Sequence, residues 1–147
     1  MGWNARLILI AAAAASIPLV QHVADHFDRD ETMIAQSRTA RLRLLQEIRL
    51  RSALSGAPVT TSGWITEISD DWFATAPVPP WSTDEHRNWL EIAPPDQVWF
   101  RDPPNRVLRD ENDAVWWFNP NLGILRARVP QQTDDVSTRD LYARVND

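Results

Sequence analysis

Between Trp3 and Ser55 the chain contains no glycine, and its only proline there is Pro18. No other feature limits the fold as strongly, because glycine and proline are the residues that interrupt helices. Ser55-Gly56-Ala57-Pro58 then supplies a stop, with glycine for a left-handed cap and proline just beyond it. The spacing predicts one helix over Trp3–Ser55, kinked at Pro18 where a backbone hydrogen bond is lost. A helix of that length reaches about 80 Å, too long to be wrapped inside a small domain. Its first half is apolar and its second half charged. That asymmetry predicts a rod with one end in a membrane and the other in water.

The apolar half runs from Leu7 to Val20, broken only by Ser16, with Leu7, Ile8, Leu9, Ile10, Pro18, Leu19 and Val20 as its largest anchor residues. Taken from Trp3 to Val23 it spans about 31 Å, the thickness of a hydrocarbon core. Arg6 precedes it and Asp25, Asp28, Asp30 and Glu31 follow, so residues 1–24 read as an anchor with its N-terminus cytoplasmic. This predicts a single-pass inner-membrane protein whose remaining residues are periplasmic or extracellular, with membrane lipid as one partner. A cleaved secretory signal competes, with Arg6 as its basic start and Ala13-Ala14-Ala15 as its cleavage site. A buried helix of a soluble protein is the third reading; the first two export the rest.

Residues 25–55 continue the helix in water. Leu42, Leu45 and Ile48 recur at helical spacing, joined by Ser52 and widened by Leu44 and Leu54. They predict a face packed on the following domain. Arg38, Arg41, Arg43, Arg49 and Arg51 make residues 38–51 basic against the single acid Glu47. His22 and His26 lie one helical turn apart with Asp25 between them, but a metal needs three or four ligands and no third is apparent.

Residues 56–147 change texture, holding ten of the eleven prolines and seven of the eight tryptophans. Repeated prolines exclude further long helices and predict short strands joined by fixed turns over 56–130. Trp64–Ile68 and Gln97–Phe100 read as strands, Asp102–Asn105 as a turn, and Ser82–Glu85 as a capping box opening a short helix to about Leu90. The clearest hairpin joins Ala114–Phe118 to Ile124–Val129 through Asn119–Gly123. Alternation sets Leu125, Ala127 and Val129 on one face, Arg126 and Arg128 on the other. Trp116 and Trp117 are expected on opposite faces, one in the core and the other against the helix or partly exposed. The polar tail 131–147, with Leu141, Tyr142 and Val145 as anchors, is expected to be loosely ordered.

The whole is an α+β chain, a long N-terminal helix packed on a small antiparallel sheet. A net charge of −5 argues against nucleic acid as a partner. The absence of cysteine excludes disulfides, thiol nucleophiles and cysteine metal sites. No catalytic residue, cofactor site or metal site is identified.

The hairpin carries a resemblance. Trp116-Trp117-Phe118-Asn119-Pro120-Asn121-Leu122-Gly123 is similar to the W-Y-N-P-x-T-G turn near the end of type IV pilin-like proteins and type II secretion pseudopilins. Those proteins also begin with a helix of fifty-odd residues, anchored by its first half and packed on a small antiparallel sheet by its second. The resemblance implies a non-enzymatic structural or assembly subunit, with other pilin-like subunits or envelope assembly proteins as partners. Family members usually carry glycine, phenylalanine and a glutamate at the fifth mature position. Here Gly2-Trp3 stands at that junction, the fifth position is Leu7, and no acid precedes Asp25. That departure points to a minor subunit or to a membrane protein that keeps the fold without processing.

Two other classes remain. Trp64, Trp72, Trp81, Trp89 and Trp99 sit in or beside predicted loops, where indole faces stack on glycans or peptides. An enzyme would need acid pairs such as Asp70-Asp71, Asp84-Glu85 or Asp134-Asp135, or His86 as a base, at a set separation in a cleft.

Overall fold

The computed structural model describes residues 3–54, 56–82 and 88–147, with side chains from residue 29 onward apart from that of residue 70. The chain divides into two compact units, Met1–Thr32 and Met33–Asp147. The first is the beginning of helix α1 (Trp3–Leu54), which runs from one unit into the other. Among the residues whose side chains are described, no helix is long and apolar enough to cross a membrane. The anchor residues Leu7, Ile8, Leu9, Ile10, Pro18, Leu19 and Val20, and the pair His22 and His26, lie outside the described side chains.

The second unit is α+β. From Met33 onward α1 buries Ile34, Ser37, Leu44 and Ile48, which share one helical face. This corrects the predicted packing face. Ile48 is fully buried and Leu45 half-buried, but Leu42 is 53% exposed and Leu54 is exposed as well. Residues two apart on a helix point about 200° apart, so a seam that takes Leu44 turns Leu42 to solvent. After Leu54, Gly56 adopts φ 61°, the left-handed geometry that ends the helix.

Three strands, β1 (Leu90–Ile92), β3 (Trp116–Asn119) and β4 (Ile124–Ala127), form a sheet ordered β1-β3-β4. A second, two-stranded sheet joins β2 (Val107–Leu108) to β5 (Val129–Pro130). The hairpin β3–β4 is antiparallel, with Trp116 opposite Ala127 and Asn119 opposite Ile124. The predicted all-antiparallel sheet is otherwise not what forms. β1 runs parallel to β3, with Leu90 opposite Trp116, and β2 runs parallel to β5. Residues 93–115 supply the crossover that parallel pairing requires.

Two predicted strands are absent. Trp64–Ile68 makes only an isolated bridge between Val59 and Ile65, and the Trp64 ring lies edge-on to Phe118 at 6.0 Å. Gln97–Phe100 is a tight turn after the 3-10 helix Pro95–Gln97. Its carbonyls meet the Asn119 side chain instead of a neighbouring strand. The capping-box helix falls on residues 83–87, outside the described residues, and Leu90 begins a strand.

Burial runs through both faces of β3. Trp116 and Phe118 enter the core shared with Ile34, Leu44, Ile48, Leu125 and Val129. Trp117 points the other way, as alternation requires, yet it too is completely buried. The turn over residues 95–100 folds across it, and its Nε1 donates to Gln97 Oε1 at 3.2 Å. The expectation that the second of the pair lies against the helix or stays partly exposed is therefore corrected.

The tail is also a correction. It forms helix α2 (Asp135–Asn146), capped by Asp134, whose carboxylate accepts from Ser137 N at 2.8 Å. Tyr142 and Val145 reach the core, with Leu141 packed half-buried beside them. At its end the Asn146 amide pairs with Ala127 on the free edge of β4, accepting from its N at 2.7 Å and donating to its O at 3.0 Å. A side chain here replaces a neighbouring strand.

Candidate functional site

The hairpin turn, the most recognisable motif of the sequence, is built as a junction. Asn119, fully buried, directs its Nδ2 to the carbonyls of Gln97, Val98 and Phe100 at 2.9–3.2 Å. Its Oδ1 accepts from Asn121 N at 3.0 Å. Pro120 is buried, and its carbonyl accepts from Thr60 Oγ1 at 3.0 Å. Gly123 holds φ 63°, and any Cβ there would strike the Trp64 ring. Trp116, Trp117, Phe118, Asn119, Pro120 and Gly123 thus converge on one structural node, with no open cleft between them.

Most described tryptophans are spent in the same way. Trp116 Nε1 donates to Pro77 O at 2.7 Å, and Trp81 Nε1 to Arg128 O at 3.2 Å. Trp64 lies under the Arg49 guanidinium at 5.5 Å and Trp72 under Arg51 at 5.4 Å. Trp89 meets Phe73 edge-on. Trp99 alone among the described tryptophans stands clear of the surface, 82% exposed on the turn that Asn119 holds.

Arginine chemistry concentrates at the end of α2. Arg38 Nε donates to Arg144 O at 2.6 Å, while Arg41 and Arg126 both donate to Asn146 O, at 2.7 and 2.6 Å. Positive charge beside exposed helix carbonyls is favourable there. Burial, followed by repulsion from Arg126 and Arg38, lowers the Arg41 pKa from its ordinary value. Tyr142 donates to Asp102 Oδ1 at 2.9 Å, and burial, then that hydrogen bond, raises its pKa. Arg128, expected on a solvent face, is 4% exposed and joins three elements. It donates to Asn105 O and Ala114 O, and pairs with Glu91 at 2.6 Å. These groups fasten the fold.

Among the described residues, no three of His, Cys, Asp and Glu come together to hold a metal ion. Asp134 is occupied as a helix cap, while Asp84, Glu85 and His86 lie outside the described residues.

The outer face of α1 is accessible. Thr39, Leu42, Gln46 and Leu50 follow one another at helical spacing on the side away from Leu44 and Ile48, and all are exposed, the two leucines by 53% and 50%. Along one border of this stripe lies an open, mainly apolar groove of about 580 Å³, walled by Ala35, Thr39, Ala40 and Arg43 on the helix and by residues 75–78 opposite. The bond from Trp116 Nε1 to Pro77 O fixes that far wall to the core. Sequence reasoning missed this surface because it assigned Leu42 to the buried face. The signal that would have found it is the two-sided distribution of leucines, 42 and 50 against 44 and 45.

No protein-family model matches the chain, and no curated protein and no solved structure matches it.

Proposed function

We propose that this chain is a non-enzymatic pilin-like subunit, of the minor-pilin or pseudopilin type, that acts by assembly within a pilus-like or secretion-like system of the cell envelope. Residues 1–24 hold it in the inner membrane, and the unit from Met33 onward stands outside the cytoplasm. The observation that carries the reading is the division of labour along α1. One face of residues 33–54 is built into a small sheet-bearing head, while the opposite face keeps two leucines in solvent. Leu42 and Leu50 on that outer face, beside an apolar groove, favour a contact surface there.

The anchor agrees with the apolar stretch Leu7–Val20, and the subunit role with the Trp116–Gly123 hairpin. The alternative, a ligand-binding module using exposed tryptophans, narrows to Trp99, since the other described indoles are partly or wholly buried. The test is fractionation of native membranes followed by affinity purification of the tagged chain. Recovery in the membrane fraction together with other pilin-like subunits is expected. Quantitative release as a free monomer in the aqueous fraction would overturn the proposal.

A further inference from the structure

The exposed stripe on α1 has a particular electrostatic frame. At 100° per residue, Arg38 and Arg49 lie along one border of Leu42 and Leu50, and Arg43 along the other. All three are exposed. Glu47, on the same helix, is paired with Arg51 at 2.8 Å. The Arg38 contact to a carbonyl and the Arg49 contact to an indole satisfy geometry without cancelling charge. An uncharged seam is therefore bordered by guanidinium groups on both sides, in a chain whose overall charge is −5.

That frame discriminates between occupants. A second copy laid along this face, in either direction, would set arginine borders against arginine borders. Like charges across a helix–helix seam cost affinity and suppress pairing. A helix with an apolar stripe bordered by carboxylates meets the opposite situation, with apolar side chains covering Leu42 and Leu50 and entering the groove against residues 75–78. Fixation of Pro77 by Trp116 means that the groove exists before the partner arrives, so little ordering cost falls on binding.

We infer that this face of α1 docks an amphipathic helix of a different protein, one whose apolar stripe is flanked by aspartate or glutamate. The inference rests on the assembly reading and names the chemistry of the partner. It excludes the chain itself as that partner.

The test uses the purified full chain in detergent micelles and two synthetic three-heptad peptides with leucine at the a and d positions. One carries glutamate at e and g, the other lysine. Fluorescence anisotropy is expected to show the glutamate peptide binding at least about tenfold more tightly, with the difference shrinking as salt rises. Leu50→Arg should weaken it by about tenfold, with an unchanged circular dichroism spectrum showing that the head still folds. Arg43→Glu combined with Arg49→Glu should reverse the preference toward the lysine peptide. Equal binding of the two peptides, or no reversal in the double variant, would overturn the inference. Efficient disulfide dimerisation of a Thr39→Cys chain in the same micelles would also overturn it, by making a second copy the occupant. Recovery with envelope subunits is measured separately, so failure here with co-purification intact refutes the partner chemistry alone.

Discussion

The part of α1 that carries the head and the terminal helix α2 belong to the same compact unit, yet they are held by opposite kinds of force. α1 from Met33 onward is seated by side chains without direction, chiefly Ile34, Leu44 and Ile48 against Trp116 and Phe118. α2 has apolar contacts at Tyr142 and Val145, but its position is set by polar ones. Arg38, Arg41 and Arg126 grip its last carbonyls, and Asn146 pairs with the edge of β4. Apolar seams tolerate small slips, whereas hydrogen bonds to a strand edge accept one register only. The long helix supplies adhesion, and the short one supplies position.

Substitutions can separate the two. The largest effect belongs to the apolar side. Trp116→Ala removes a fully buried indole from the seam and releases Pro77, and should destabilise the head by about 3–5 kcal/mol. Chemical denaturation of the variant reads it. Next comes Asn146→Ala, which leaves Ala127 N and O buried without their partners at a cost of about 2–4 kcal/mol. If that loss matched an ordinary surface change, the polar account of α2 would fail. Hydrogen exchange should place the new opening in α2 and β4, with α1 protected.

The smallest effect is one of pH. Backbone and side-chain hydrogen bonds from Ser137 hold the Asp134 carboxyl below its ordinary pKa. Its contribution to α2 is therefore complete above the unfolded-state value and fades as pH falls through the lower folded-state value. Helicity monitored in acid should show a small extra loss that Asp134→Asn, which keeps a capping oxygen, abolishes.

The same contrast explains what was legible in the sequence. The long helix, its stop at Gly56 and the hairpin turn rest on local rules of periodicity, left-handed glycine and turn chemistry, and they are read from neighbours in the chain. Leu42 was misassigned because two leucine-bearing faces satisfy helical spacing equally well. Only the position of Ile34 and Ser37 on the seam decides for Leu44. Trp117 and Arg128 look like solvent-facing alternates until the turn at 95–100 and the carbonyls of Asn105 and Ala114 arrive from elsewhere. α2 was invisible because its polar composition is what its position requires. Its partners Arg38, Arg41 and Ala127 lie far away in sequence. The parallel partner β1 carries no local mark of its direction.

That crossover has a consequence for how the chain comes into being. The β3–β4 hairpin closes over a handful of residues, whereas β1 has nothing to pair with until residues 93–115 have looped back and β3 is in place. The edge of β4 stays bare until α2 brings Asn146 to cover it. Until then the folding chain offers an uncovered strand beside two tryptophans. Protection against mispairing is needed most just before the last helix docks.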